Sequence, residues 1–142
     1  MKRCLVDVNV VLALLVRQHV HHALAREWFA TLGAREAGLC RLVQLALIRL
    51  LGNRSIMANH AVSALMGWRL IEELLQDERV ELLAEPPLTD PVLPSLLDHP
   101  VDPGKLVSDA YLAAFAIAAS RRMVTLDRDF LRFRGLDVHL LA

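Results

Sequence analysis

The sequence lacks several features that would place it in a specialised class of proteins. Its 142 residues include only two cysteines and no CxxC pair, and its six histidines show no zinc-ligand spacing. This argues against a disulfide framework and against a structural zinc site. No apolar run approaches the roughly 20 residues that a membrane-spanning helix needs. The formal net charge is zero, which neither favours nor excludes nucleic acid as a partner, because local patches matter more than the sum.

The chain is instead rich in aliphatic residues. Hydrophobic residues make up 55% of it and aromatic residues only 5%, and the surplus of Leu, Ala and Val is typical of a helix-covered sheet. A length of 142 residues suits one domain with a real core, so we treat residues 1–142 as a single domain. Part of the apolar surplus also suits burial against a second chain.

The two cysteines indicate the compartment. Cys4 and Cys40 lie in apolar, strand-like segments, and buried, reduced thiols are their simplest interpretation. The apolar run after the basic start of the chain is interrupted by Asp7 too early for a signal peptide. We therefore expect a cytoplasmic protein with no membrane segment.

Hydrophobic periodicity and turn residues predict an alternation of strands and helices. The predicted strands are residues 3–6, 37–40, 79–83, 122–126 and 138–141. The predicted helices are residues 9–16, 21–32, 41–51, 59–76, 90–97 and 109–120, with Asn59 and Ser108 as N-terminal caps. Residues 100–104 are predicted to be a loop and residues 127–131 a turn or short helix. Such an alternation predicts an α/β fold with a parallel sheet covered on both faces.

Two of the predicted strands end at an acidic residue. Residues 3–6 lead into Asp7, and residues 122–126 lead into Asp127. If these strands are parallel neighbours, both carboxylates lie at the sheet edge where open α/β sheets bind ligands. Clustered carboxylates repel one another and favour a hard divalent cation. Taken alone, each residue is equally explained as a helix cap or a turn residue.

Three further polar residues are expected at the same edge of the sheet, and each also has a simpler structural explanation. Asp109 opens an almost wholly apolar predicted helix and would face the strand ends, although the helix dipole alone also favours an acid there. Asp129 follows Asp127 by two residues and is either a second ligand or a solvated charge. Gln44 lies on the apolar face of the helix 41–51, where it needs a buried hydrogen-bond partner or faces the acidic pocket.

Several segments, in order, resemble motifs of the PIN-domain family, particularly its VapC-like toxins. Residues 7–10, Asp-Val-Asn-Val, look like the opening D-x-N motif, and residues 22–29 resemble the helix that commonly follows. Residues 40–51 are similar to the third helix, and residues 109–114 and 125–130 look like the third and fourth acidic motifs. The resemblance covers essentially the whole chain.

The resemblance implies a PIN-like three-layer α/β/α fold with a short central parallel sheet of about five strands. It also implies a metal-dependent endoribonuclease that is the toxin of a toxin–antitoxin pair. In such enzymes acidic side chains hold Mg²⁺ or Mn²⁺, and the metal activates a water for in-line attack on an RNA phosphodiester. The expected partners are an RNA substrate, a cognate antitoxin protein and a second copy of the chain in a homodimer.

The resemblance implies roles for individual residues. The implied catalytic and metal-binding carboxylates are Asp7, Asp109 and Asp127, with Asp129 as an outer or second-metal residue. The implied supporting residues are Asn9, Gln44, Thr125 and Ser108. The basic residues expected to contact the RNA backbone are Arg49, Lys105 and Arg128. Each of these three charges is otherwise explained as a solvated surface group.

The chain departs from the family pattern at Gln44, where the usual residue is Glu. An amide oxygen can still coordinate a hard cation, but it brings no charge and cannot act as a base. We therefore expect lower metal affinity unless Asp129 compensates. The alternative is a catalytically weakened PIN-like module that only binds RNA or protein. Receiver domains and haloacid-dehalogenase-type phosphatases fit less well, because residues 79–83 end without an acceptor Asp and position 9 is Asn.

Overall fold

Five short strands form one parallel sheet in the computed structural model, which describes residues 2–142. The strands are β1 (Cys4–Val6), β2 (Ala37–Leu39), β3 (Val80–Leu82), β4 (Arg122–Thr125) and β5 (Val138–Leu140). Their order across the sheet is β3-β2-β1-β4-β5, and every neighbouring pair is parallel. The predicted α/β class and the number of strands are confirmed.

Seven helices connect and cover these strands. They are α1 (Val8–Leu15), α2 (His22–Phe29), α3 (Arg41–Leu51), α4 (Arg54–Met57), α5 (Ala64–Leu75), α6 (Thr89–Leu97) and α7 (Pro103–Ala118). Two 3₁₀ turns lie at Ala58–His60 and Arg128–Arg132. Among residues 2–142, no helix combines the length and the apolar character needed to cross a bilayer.

The core lies around the middle of the sheet. All residues of β1 and β2 are buried, because helices cover both faces of the sheet, as parallel strands require. The core side chains include Leu5 on β1, Met123 on β4 and Phe115 on α7, each at most 1% exposed. The central strands β1 and β2 therefore have no polar face, whereas β3 and β5 at the edges of the sheet are partly exposed.

Two predicted helix starts are wrong. The helix predicted to start at Asp109, with Ser108 as its cap, begins at Pro103, within the predicted loop. The actual cap is Asp102, whose side chain accepts a hydrogen bond from the Gly104 backbone N–H. Proline at position 103 also suits the first turn of a helix. Asn59 does not cap a long helix either, because α5 begins at Ala64, where the Ser63 hydroxyl accepts a hydrogen bond from the Met66 N–H.

The order of the strands reverses between β1 and β4. From β1 the chain builds outward through β2 and β3, and it then returns to place β4 on the other side of β1. Asp7 follows β1 directly, and its backbone N–H donates to the Val124 carbonyl on β4 at 2.9 Å. The carboxyl ends of β1 and β4 therefore meet at the edge where ligands bind in open α/β sheets.

Candidate active site

Asp7 is held in a fixed orientation at the junction of β1 and α1. One carboxylate oxygen, Oδ1, accepts a hydrogen bond from the Val8 backbone N–H at 2.8 Å and so caps α1. The other, Oδ2, accepts from the Thr125 hydroxyl at the end of β4 at 2.7 Å. The residue is 4% exposed. A buried carboxylate with both oxygens already oriented is preorganised for binding.

A chain of hydrogen bonds continues from Asp7 to the turn after β4. The Thr125 hydroxyl accepts from the Asp127 backbone N–H at 2.9 Å. The Asp127 carboxylate in turn accepts from the Asp129 backbone N–H at 2.9 Å, which starts the 3₁₀ turn Arg128–Arg132. Thr125 therefore couples the two strand ends, because one hydroxyl contacts both Asp7 and the turn that carries Asp127 and Asp129.

Asp109 approaches the same edge from α7. It is the seventh residue of that helix, so the first-turn dipole expected from the sequence does not apply to it. Its Oδ2 accepts a hydrogen bond from the Arg132 guanidinium at 3.2 Å, and these two side chains are 19% and 15% exposed. Arg132 also lies 4.0 Å from Asp129, which forms a second ion pair with Lys105. Arg132 and Lys105 therefore serve as internal counterions for two of the acids.

Burial and mutual repulsion shape the charges of this group. Burial raises the pKa of Asp7 to about 6, the hydrogen bonds from Thr125 and Val8 oppose this, and the negative charges of Asp109 and Asp127 add to it. Burial also raises the pKa of Asp109, and Arg132 opposes that rise. The ion pair with Lys105 lowers the pKa of Asp129. Among residues 2–142, neither Asp7 nor Asp127 has a cationic partner at ion-pair distance, and Asp7 is the more buried of the two, so a bound cation would stabilise the charged form of Asp7 most.

A cavity of about 420 Å³ opens beside Asp7 and Asp109. Its walls come from α1, α3 and α7, and its lining residues are Asp7, Val8, Asn9, Leu42, Val43, Ala46, Arg49, Leu50, Ser108, Asp109 and Leu112. The two acids and Arg49 therefore line one largely aliphatic pocket that opens to solvent.

Most of the residues expected at the site lie at this edge of the sheet. Arg49 and Ser108 line the cavity, although Ser108 lies within α7 and does not cap it. Asn9 is exposed and lines the same cavity. Lys105 pairs with Asp129, and Arg128 lies on the far side of Asp127, in a separate cavity.

Gln44 is placed differently from the other expected site residues. It is 1% exposed, and its amide oxygen accepts a hydrogen bond from the Arg41 guanidinium. It is not among the residues that line the cavity beside Asp7 and Asp109. The guanidinium of Arg41 also lies 5.8 Å from the centre of the Trp68 ring on α5. Of the two interpretations of Gln44 offered by the sequence, this geometry matches the simpler one, a buried side chain whose amide has a hydrogen-bond partner.

Arg132 is the site residue that the sequence alone does not single out. It is one of several basic residues near the motifs, with nothing to distinguish it from the others. Its spacing of three residues from Asp129 is the only local signal, and its contact with Asp109 spans 23 residues of sequence. A contact of that range depends on how α7 packs beside β4, which local patterns do not reveal.

The donor set suits a hard divalent cation. Within the part of the chain that the structure describes, no three His, Cys, Asp or Glu side chains are grouped closely enough to hold a metal ion by themselves. Mg²⁺ does not require three protein ligands, since it keeps several waters and binds through one or two carboxylates plus substrate phosphate. The buried oxygens of Asp7, with Asp109 and Asp127 near enough to raise its pKa, provide the required oxygen chemistry.

Comparisons with known proteins agree with this arrangement. The family model described as "PIN domain" matches residues 4–136. Ribonuclease VapC41 of Mycobacterium tuberculosis (strain CDC 1551 / Oshkosh) is 34% identical over 143 residues, covering 97% of this chain and 98% of that protein. DNA-bound VapBC from Salmonella typhimurium has a TM-score of 0.71 at 17% identity, covering all of both chains.

A second similar structure, VapC20 of Mycobacterium tuberculosis, is described as a toxin that cleaves the sarcin-ricin loop. It has a TM-score of 0.65 at 16% identity, covering 94% of this chain and 98% of that one. At these identities the solved structures show the fold, whereas the family match and the VapC41 relative span nearly the entire sequence. This chain belongs to the PIN-domain family.

Proposed function

We propose that this protein is a metal-dependent endoribonuclease that acts as the toxin of a toxin–antitoxin pair. The observation that carries the proposal is Asp7, a buried carboxylate that lacks a cationic partner within residues 2–142 and lines a cavity together with Asp109. Relatives of the same length and more than 30% identity are named ribonucleases, which supports RNA as the substrate. The two buried, free thiols are consistent with the expected cytoplasmic location.

Each site residue has its own role in phosphodiester hydrolysis. Asp7, Asp109 and Asp127 would hold Mg²⁺ or Mn²⁺, which when bound activates water and neutralises charge on the phosphoryl oxygens. Thr125 keeps the Asp7 carboxylate aimed at the cavity through its hydrogen bond. Arg49 at the cavity and Lys105 nearby supply positive charge that attracts the RNA backbone. Arg132 and Lys105, which pair with Asp109 and Asp129, would give up these contacts when the acids hold a cation, and their charges would then face the RNA phosphates.

Removing the metal tests the proposal directly. Purified protein in Mg²⁺ or Mn²⁺ is expected to cleave single-stranded or structured RNA, and EDTA is expected to abolish this cleavage because uncompensated carboxylates repel the phosphate backbone. The measurement is gel-resolved cleavage of end-labelled RNA, with Asp109→Asn as the site variant and Asp98→Asn, in the exposed turn after α6, as its matched control.

The controls separate this enzyme from a contaminating nuclease. Cleavage that survives in Asp109→Asn, or that is unchanged by EDTA in a preparation of correctly folded protein, would contradict the proposal. Equal losses in Asp109→Asn and Asp98→Asn would show that the assay does not report on the carboxylate cluster.

Gln44→Glu distinguishes an active enzyme from a weakened binding module. We expect this substitution to change the cleavage rate by less than about threefold, since the introduced carboxylate would pair with the Arg41 guanidinium in a charge-assisted hydrogen bond. The measurement is the cleavage rate across a titration of Mn²⁺. A large gain in rate together with tighter Mn²⁺ binding would instead favour the weakened module, disabled by the missing carboxylate.

An antitoxin and a second copy of the chain are proposed as protein partners. Structural neighbours of this chain include VapBC structures from several bacteria, which supports an antitoxin as partner. The exposed apolar side chains of Leu65, Met66 and Trp68 on α5 support a homodimer, because contiguous apolar surface is typical of interfaces.

A further inference from the structure

A second cavity, of about 470 Å³, lies next to the carboxylates and is lined by neither α3 nor α7. We call it the histidine cavity, and its lining residues are Asn9, His19, His21, Leu126, Asp127 and Arg128. Asn9 also lines the aliphatic cavity, so the two cavities meet beside the acidic cluster. Their chemistry differs, since one is mostly aliphatic and the other carries two imidazoles and a guanidinium.

We propose that the histidine cavity binds the nucleotide next to the scissile phosphate of the RNA, with its base stacked on His21 beside His19 and its phosphate contacted by Arg128. This inference rests on the proposed ribonuclease function. A strand that places one phosphodiester at Asp7 and Asp127 must continue on both sides of that point. The histidine cavity lies on one of those sides, and its volume falls within the range of about 300–1,000 Å³ for small-molecule sites.

The loop that carries the two imidazoles is fixed by its own hydrogen bonds. The Nδ1 atom of His19 accepts from the His21 backbone N–H at 3.0 Å, and the His22 backbone N–H donates to the His19 carbonyl at 3.0 Å. The His22 ring is used elsewhere, since its Nδ1 lies 2.8 Å from the Ala13 carbonyl oxygen near the end of α1. His19 and His21 are therefore presented by a preorganised loop, which reduces the entropy lost on binding.

The His21 ring suits stacking with a base, since within residues 2–142 it makes no hydrogen bond. Its centroid is 5.8 Å from that of the His19 ring and the two planes are tilted by 42°, so a base that lies flat on His21 meets His19 at an angle. Burial, with the charges of His21 and His22, lowers the pKa of His19, which favours the neutral ring. Single-stranded RNA is commonly bound by bases stacked on aromatic or imidazole rings beside a positive groove.

Arg128 supplies the positive charge of this cavity. It directly follows Asp127, is exposed, and makes no ion pair with any residue between 2 and 142. Two other basic residues near the acids are already paired, Lys105 with Asp129 and Arg132 with Asp109, and Arg49 lines the other cavity. Arg128 is therefore available to a phosphate without breaking an existing ion pair.

Binding of a labelled ten-nucleotide single-stranded RNA, measured by fluorescence anisotropy in Mg²⁺, tests this subsite. His21→Ala is expected to weaken binding roughly 5- to 150-fold, the range for one lost base stack, and His21→Phe to restore most of it. Arg128→Ala is expected to reduce the slope of log K against log salt by about 0.7, the value for one phosphate contact on a single strand. His60→Ala and Arg134→Ala replace exposed residues outside the cavity and serve as matched controls.

The outcomes separate the subsite from the ribonuclease function. If His21→Ala and Arg128→Ala bind the RNA as tightly as the unchanged protein, the subsite is wrong, even if metal-dependent cleavage is intact. If His21→Phe binds as weakly as His21→Ala, base stacking is excluded. If the unchanged protein cleaves no RNA but the predicted losses of binding occur, the subsite stands and the ribonuclease proposal fails.

Discussion

Asp7→Asn is expected to reduce RNA cleavage by at least about 100-fold, the scale on which single preorganised electrostatic groups contribute to catalysis. Asp7 is the most buried of the four acids, and its carboxylate is oriented by Val8 and Thr125. Asparagine keeps the size and an acceptor oxygen but removes the charge that would hold a divalent cation. Single-turnover cleavage rates at saturating Mg²⁺ measure the effect.

The same substitution is expected to leave the fold intact and to stabilise it at neutral pH. Burial raises the pKa of Asp7 from 3.8 to about 6, so the folded carboxyl holds its proton more tightly than the unfolded chain does. Ionised Asp7 therefore costs the folded state about 3 kcal/mol above pH 6. This destabilisation disappears as the pH falls below 4. It is absent from the Asp7→Asn variant at any pH, because the amide is uncharged.

Urea unfolding without metal at two pH values tests this explanation. The free energy of unfolding of Asp7→Asn should exceed that of the unchanged protein at pH 7.5, and the difference should shrink or vanish at pH 4. A variant that is less stable at pH 7.5 would mean that Asp7 is a structural cap. Its loss of cleavage would then say nothing about a metal site.

Phe130→Ala is expected to lower the free energy of unfolding by about 3–5 kcal/mol, as for other large aromatic side chains removed from a core. Phe130 is 1% exposed and lies in the 3₁₀ turn that follows Asp127. Its ring packs beside Phe133, with ring centres 6.1 Å apart. The side chain therefore anchors the turn that carries Asp127 and Asp129, and its loss should also reduce cleavage in protein that remains folded.

Leu131→Ala is the matched control for this anchor. Leu131 lies in the same turn but is 55% exposed, so its truncation should change stability by no more than about 0.5 kcal/mol. Thermal and urea unfolding of both variants measure the difference. Similar small losses for the two positions would mean that the turn is not held by the core, and another explanation for the placement of Asp127 would be needed.

Local sequence patterns predict the acidic edge well because strands and their ends are encoded locally. The apolar runs before Asp7 and Asp127 form β1 and β4, which are parallel neighbours across the point where the strand order reverses. Thr125, assigned from the resemblance to orient a carboxylate, donates its hydroxyl to Asp7. These features depend on short apolar runs and on the geometry of parallel sheets.

Features that depend on competing local signals or on distant contacts are harder to predict. The predicted start of α7 at Asp109 is late because residues 102–104 resemble a loop, although Asp followed by Pro is a good helix start. Gln44 has its hydrogen-bond partner, Arg41, one helical turn away, and only the packing of α3 distinguishes that partner from the acidic pocket. The contact of Arg132 with Asp109 arises when α7 and the turn after β4 meet.

The position of a bound metal tests the central claim most directly. A crystal soaked with Mn²⁺ at neutral pH is expected to show one anomalous peak. Carboxylate oxygens of Asp7 and of at least one of Asp109 and Asp127 should lie within about 2.0–2.3 Å of that peak, which is the range spanned by Mg²⁺ and Zn²⁺ ligand distances. Arg132 should then have moved away from Asp109. A peak at other residues, or a fully soaked crystal with no peak at this edge of the sheet, would contradict the proposed metal site.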